Sequence, residues 1–128
     1  MDLLLDTHSL LWFIAGDDKL SKRAKHLIAD LNNRTLVSAV SLWEITIKMG
    51  TGKLILSRPF DEFFPEQLAI NKIEMLPIKL EHLAALAQLP LHHRDPFDRM
   101  IIAQAVAENL QIISKDSVFH KYPIQLIW

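Results

Sequence analysis

Short apolar runs recur along this chain, and after the first three the apolar residues change their spacing from consecutive to helical. Leu3-Leu4-Leu5 gives way to Leu10, Leu11, Phe13 and Ile14, and Thr35-Leu36-Val37-Ser38 gives way to a helical stretch over Ser41–Met49. The remaining helical stretches are Ser21–Leu31, Phe60–Asn71 despite Pro65, Leu80–Leu89 and Phe97–Asn109. The remaining strand-like runs are Ile73–Ile78, Gln111–Ser114 and Ile124–Trp128. Strands that alternate with helices, and read as near-continuous apolar runs, belong to a parallel sheet covered on both faces. The expected fold class is therefore α/β, a mostly parallel central sheet flanked by helices. A chain of 128 residues, 50% hydrophobic, suits one domain over residues 1–128 with one compact core. No internal repeat or linker divides it.

Carboxylates mark the places where these segments meet. Asp6 follows Leu3–Leu5, Glu44 follows Leu36–Val40, Asp98 opens an apolar helix and Asp116 follows Ile112-Ile113. In an open parallel sheet the ligand crevice lies beyond the carboxyl ends of the strands, so acids far apart in sequence can converge there. At an effective dielectric near 20, two unit charges about 4 Å apart cost roughly 4 kcal/mol, so such a cluster calls for a divalent cation, protonation or distance. A metal-dependent enzyme is the first expectation. Each acid also has a local reading: Asp6, Asp95 and Asp116 as caps, Asp98 as a first-turn anion. Asp95-Pro96 is a helix start in its own right. Ser41-Leu42-Trp43-Glu44 reads as a capping box, yet Val40, Leu42, Trp43, Ile45 and Ile47 make an apolar setting for a carboxylate.

Composition narrows the chemistry. There is no cysteine, which removes disulfides and thiolate ligands and fits a reducing cytoplasm. The run Leu3–Ala15 is too short to cross a membrane and lacks a basic start, so no membrane association and no cleaved leader are expected. The formal net charge is −1, so contact with a polyanion needs a local basic patch. Lys48, Arg94, Arg99 and Lys115 lie beside the acids and are the candidates. His8, His92 and His93 show no metal-binding spacing and read as surface or supporting groups. Trp12, Trp43, Trp128 and Phe60, Phe63 and Phe64 read as core or interface rather than as base-stacking platforms.

Four blocks carry a family likeness: Leu4-Leu5-Asp6-Thr7-His8, Ser38–Ile45, Arg94–Ala105 and Ile113-Ser114-Lys115-Asp116. In this order they resemble the PIN-domain ribonucleases, specifically the toxin branch of VapBC toxin–antitoxin modules, and the likeness covers nearly the whole chain. It implies a site built from Asp6, Glu44, Asp98 and Asp116, with Mg²⁺ or Mn²⁺ as cofactor, RNA as substrate, a homodimer, and a cognate antitoxin that occupies the site. On this reading Asp6 and Asp98 are the primary ligands, and Glu44 and Asp116 bind the metal or orient water. Thr7 supports Asp6, Asp95 stands beside Asp98, and Arg99, Lys115, Arg94 and Lys48 are offered to phosphate. Two other readings compete. A phospho-acceptor signalling domain predicts an aspartate after the third strand, where Ile73–Glu81 has Glu74 and Glu81 but no aspartate. A catalytically inactive PIN-like binding module would keep the fold without the chemistry.

Overall fold

A computed structural model describes all residues, Met1–Trp128. Five strands form one sheet: β1 (Asp2–Leu5), β2 (Arg34–Ser38), β3 (Ile73–Leu76), β4 (Gln111–Ile113) and β5 (Gln125–Ile127). Their spatial order is β3-β2-β1-β4-β5, and every pair is parallel. Six α-helices connect them: α1 (Thr7–Ala15), α2 (Lys22–Ala29), α3 (Ala39–Gly50), α4 (Phe60–Ile70), α5 (Leu80–Gln88) and α6 (Pro96–Glu108). A short 3-10 helix, Ser117–Lys121, precedes β5.

The consecutive leucines of β1 explain the layers. Successive side chains of a strand point to opposite faces. Leu3 and Leu5 therefore join Val37, Ile73, Ile113 and Ile127 in one core under α1 to α4, while Leu4 joins Leu36, Leu76 and Ile112 in a second core under α6. Val40 of α3 and Met100 and Ala103 of α6 form a smaller seam, with Ala85 and Leu86 of α5 packed against it. Helix ends follow local chemistry. Gly16 (φ 65°) and Asn109 (φ 56°) close α1 and α6 in the left-handed conformation that these residue types tolerate.

Several boundaries differ from the sequence reading by one or two residues, and two of these shifts have a clear local cause. The third helix starts at Ala39, because the Ser38 hydroxyl caps the Val40 N–H, so the Ser41–Glu44 capping box does not form. Ser41 is a buried residue inside that helix. β3 stops at Leu76 rather than Ile78, as Pro77 has no N–H to continue the ladder.

Candidate active site

The sheet changes direction at its centre. From β1 the chain crosses to β2 and then β3 on one side, while β4 and β5 lie on the other, so the crevice between the carboxyl ends of β1 and β4 is the ligand position for this architecture. Asp6 leaves β1 there. Its N–H donates to the Ile113 carbonyl at 3.2 Å, which fixes it to the end of β4. Its Oδ1 accepts from the Ser9 N–H at 2.9 Å and its Oδ2 from the Ser114 hydroxyl at 2.6 Å. The local and functional readings of Asp6 are thus compatible: it caps α1 and is also a buried carboxylate at the crossover.

Glu44 comes from α3. Its Oε1 accepts from the Thr7 hydroxyl at 2.7 Å, and Thr7 shares a second hydrogen bond of 3.0 Å with the Ser41 hydroxyl. The expected partner of Thr7 was Asp6; Thr7 holds Glu44 instead, and Ser114 holds Asp6. Those two serines were missed because their partners lie 34 and 108 residues away, distances over which no local pattern operates. Lys48, one turn after Glu44, lies 3.2 Å from Oε2. An edge-on contact between Trp43 and Phe97, 5.1 Å between ring centroids, joins the helices that carry Glu44 and Asp98. Trp43 is otherwise exposed, unlike the partly buried Trp12 and Trp128 that pack against the core.

Asp95 is the cap of α6: its Oδ1 accepts from the N–H groups of Phe97 and Asp98 at 2.9 and 3.1 Å. Asp98, one turn in, has no such partner. Burial, then the charges of Asp95, Asp6, Glu44 and Asp116, push its carboxyl up from the ordinary 3.8 to about 7. That shift places the four sequence-chosen acids in one electrostatic cluster. Asp116 lies on the exposed rim and caps the 3-10 helix through Val118 N–H at 3.0 Å. Among these acids only Glu44 is paired with a lysine or arginine. The donor set is carboxylate oxygen, the ligand type of Mg²⁺ and Mn²⁺, and the negative field on Asp98 is the kind a hard cation relieves.

The basic candidates divide. Arg94 and Lys115 are exposed beside Asp95 and Asp116. Arg99, expected at phosphate, is committed to the loop before α6, with its Nη1 donating to the Pro90 carbonyl at 3.0 Å and to the Tyr122 hydroxyl at 3.3 Å. Lys48 also borders a groove of about 660 Å³ along α1, whose walls include Trp12, Leu56 and Phe63 and whose cations are Lys19, Lys48 and Lys53, with no carboxylate.

A second cluster lies elsewhere, unforeseen in the sequence. Ligand-type atoms of Glu81, His82 and Glu108 fall within 4.8 Å of one another. His82 is fully buried, and its Nδ1 accepts from the Lys79 N–H at 3.0 Å and the Gln104 amide at 3.3 Å. The ring hydrogen must then sit on Nε2, which donates to Glu108 Oε1 at 3.0 Å. A nitrogen bearing hydrogen has no lone pair for a metal. This cluster is a clasp between α5 and α6.

Comparison with known proteins agrees with the α/β fold. The chain resembles the Rickettsia felis VapBC2 complex bound to a DNA fragment from its promoter (20% identity, 99% of this chain and 98% of that one, TM-score 0.71). It also resembles VapBC-1 of nontypeable Haemophilus influenzae (16%, 99% and 97%, TM-score 0.65) and a toxin-antitoxin complex from Klebsiella pneumoniae (19%, 98% and 96%, TM-score 0.64). At these identities the likeness establishes a shared fold. No curated protein sequence gives a significant match. No helix is long and apolar enough to cross a membrane. The PIN domain model matches residues 3–125, nearly the full length of the sheet and of every helix described above, and the chain belongs to the PIN domain family.

Proposed function

We propose that this protein is a metal-dependent endoribonuclease and the toxin of a type II toxin–antitoxin module, acting in the cytoplasm. The observation that carries the reading is Asp98, pushed up to about 7 by burial and by four neighbouring carboxylates, in a cluster where only Glu44 has a basic partner. Asp6 and Asp98 are assigned as the main ligands of Mg²⁺ or Mn²⁺, with Glu44 and Asp116 completing the set. Bound there, the cation supplies an acidified water and relief of charge on the leaving oxygen of a phosphodiester. Ser114 and the Ser9 N–H hold Asp6 in place, and Thr7 and Ser41 do the same for Glu44. Lys115 and Arg94 stand at the exposed rim, where an RNA backbone would pass, and Lys48 leaves Glu44 when phosphate competes for it.

The solved neighbours that contain antitoxins support a protein partner. The groove along α1 has an apolar floor and a lysine rim, which suits an amphipathic, acidic segment of such a partner. A homodimer is part of the same reading.

The test is incubation with total cellular RNA, with Mg²⁺ and with EDTA, followed by mapping of cut ends, for wild type and Asp6→Asn. Discrete cuts that need metal and disappear in the variant are expected. RNA binding without cleavage by wild type in Mg²⁺ favours the inactive binding module. Expression without an inhibitor should arrest growth, and a harmless wild type that still cuts RNA in vitro removes the toxin assignment alone.

A further inference from the structure

Tyr122, at the end of the 3-10 helix, reaches the loop between α5 and α6. Its hydroxyl lies 3.3 Å from the backbone N–H groups of both His92 and His93, 3.3 Å from Arg99 Nη1, and 2.7 Å from His93 Nδ1. The first three are donors only. The hydroxyl hydrogen therefore has one acceptor, His93 Nδ1, and a neutral His93 carries its own ring hydrogen on Nε2. That Nε2 is buried without a hydrogen-bond partner. It lies 3.7 Å from Asp98 Oδ2. A buried donor left unmade is costly, so a small rotation that closes the gap to the Asp98 oxygen is favourable.

We propose that His93 is the positioning residue of the acid cluster: its Nε2–H holds one oxygen of Asp98 so that the other faces the divalent cation, and Tyr122 fixes which ring nitrogen bears the hydrogen. This rests on the metal-nuclease reading for what Asp98 holds. Ring-nitrogen partners of this kind fix the orientation of a ligand, and losing them weakens metal affinity by about 10–100-fold.

Three measurements on the purified full chain test it. Nitrogen-15 NMR of the metal-free protein at pH 8 should show His93 as the single tautomer protonated at Nε2; a hydrogen on Nδ1 overturns the assignment. Calorimetric titration with Mn²⁺ should give a dissociation constant about 10–100-fold weaker for His93→Ala, with most of the loss recovered in His93→Gln, which retains an N–H donor. Tyr122→Phe, which keeps the ring in the core, should mix the tautomers and weaken Mn²⁺ by a smaller factor. It also serves if His93→Ala fails to fold. Wild-type affinity in folded His93→Ala, or in both His93→Gln and Tyr122→Phe with unmixed tautomers, overturns the positioning role while leaving the nuclease reading intact. Wild type that binds no Mn²⁺ overturns the nuclease reading and the orienting role with it.

Discussion

Two clusters in this molecule pair acids with a buried or half-buried histidine, and their electrostatics run in opposite directions. In the clasp between α5 and α6, hydrogen bonding from His82 and the nearby Lys79 hold Glu108 below the usual carboxylate range. At the crossover of the sheet, burial and like charges push Asp98 up to about 7, and His93 Nε2 is left without a partner. The first cluster is complete with what the chain supplies. The second is short of positive charge. Proximity of ligand-type atoms alone would rank the clasp as the metal site; the sign of the shift and the state of the imidazole nitrogens reverse that ranking.

The widest separation between the two clusters is expected in catalysis. Asp6→Asn and Asp98→Asn should each lower Mg²⁺-dependent RNA cleavage by about 10²-fold or more, since an amide keeps the shape and loses the anionic ligand. Glu108→Gln should cleave at the wild-type rate. Cleavage lost in Glu108→Gln but kept in Asp98→Asn would exchange the roles assigned here. Asp95→Asn should fall between them, because its side chain serves the helix start.

The order inverts for stability. His82→Ala removes a fully buried ring and leaves the Lys79 N–H, the Gln104 amide and Glu108 without their partner. A loss of about 2–4 kcal/mol is expected in urea unfolding, with Mn²⁺ affinity unchanged for the folded fraction. A variant as stable as wild type would mean that the clasp is incidental to how α5 and α6 pack.

Asp98 carries the third difference. Its folded value is raised, so the native state binds the proton more tightly than the unfolded chain does. That contribution is fully present below about pH 4 and is lost as pH rises through about 7. Metal-free wild type should therefore weaken between these limits, by about 1–2 kcal/mol after allowance for solvent around a side chain that is 24% exposed. Asp98→Asn should flatten that limb and melt a few degrees above wild type at pH 8 in EDTA. Excess Mg²⁺ should reverse the order. A variant that melts below wild type in EDTA would make Asp98 a helix-start anion and nothing more.

Much of this site was legible because strand ends are legible. Three leucines followed by Asp-Thr-His can be a buried strand that opens into a helix, and the position of Asp6 follows from that. The same holds for Asp116 after Ile112-Ile113, and for Asp98 behind the proline that starts α6. What supports the acids was not legible. Thr7 sits next to Asp6 in sequence but bonds to Glu44 because the first turn of a helix carries its side chain sideways toward α3. Ser38 and Ser41 are equally good caps on paper, and only the end of β2 decides between them. His82 looks like a surface residue of a short helix until α6 lies across it. In each case the deciding contact joins residues that the sheet brings together.

The smallest expected effect belongs to Glu108, and it carries the opposite sign to Asp98. Its folded value is lowered by the hydrogen bond from His82, then by the charge and hydrogen bond of Lys79. The stability it contributes is present above the ordinary glutamate value near 4.5 and is lost as pH falls through the folded value. Glu108 is partly solvated and Lys79 is half-exposed, so the ion pair adds less than about 1 kcal/mol. Glu108→Gln should keep the neutral bond to His82 and change stability little at pH 7. It should also remove part of the acid limb below pH 5. The comparison is a pair of pH titrations of unfolding free energy in EDTA, Glu108→Gln against Asp98→Asn: one variant should alter only the acid side, the other only the stretch from about pH 4 to 7. If both altered the same limb, the two carboxylates would share one field, and the clasp would have to be counted as part of the site.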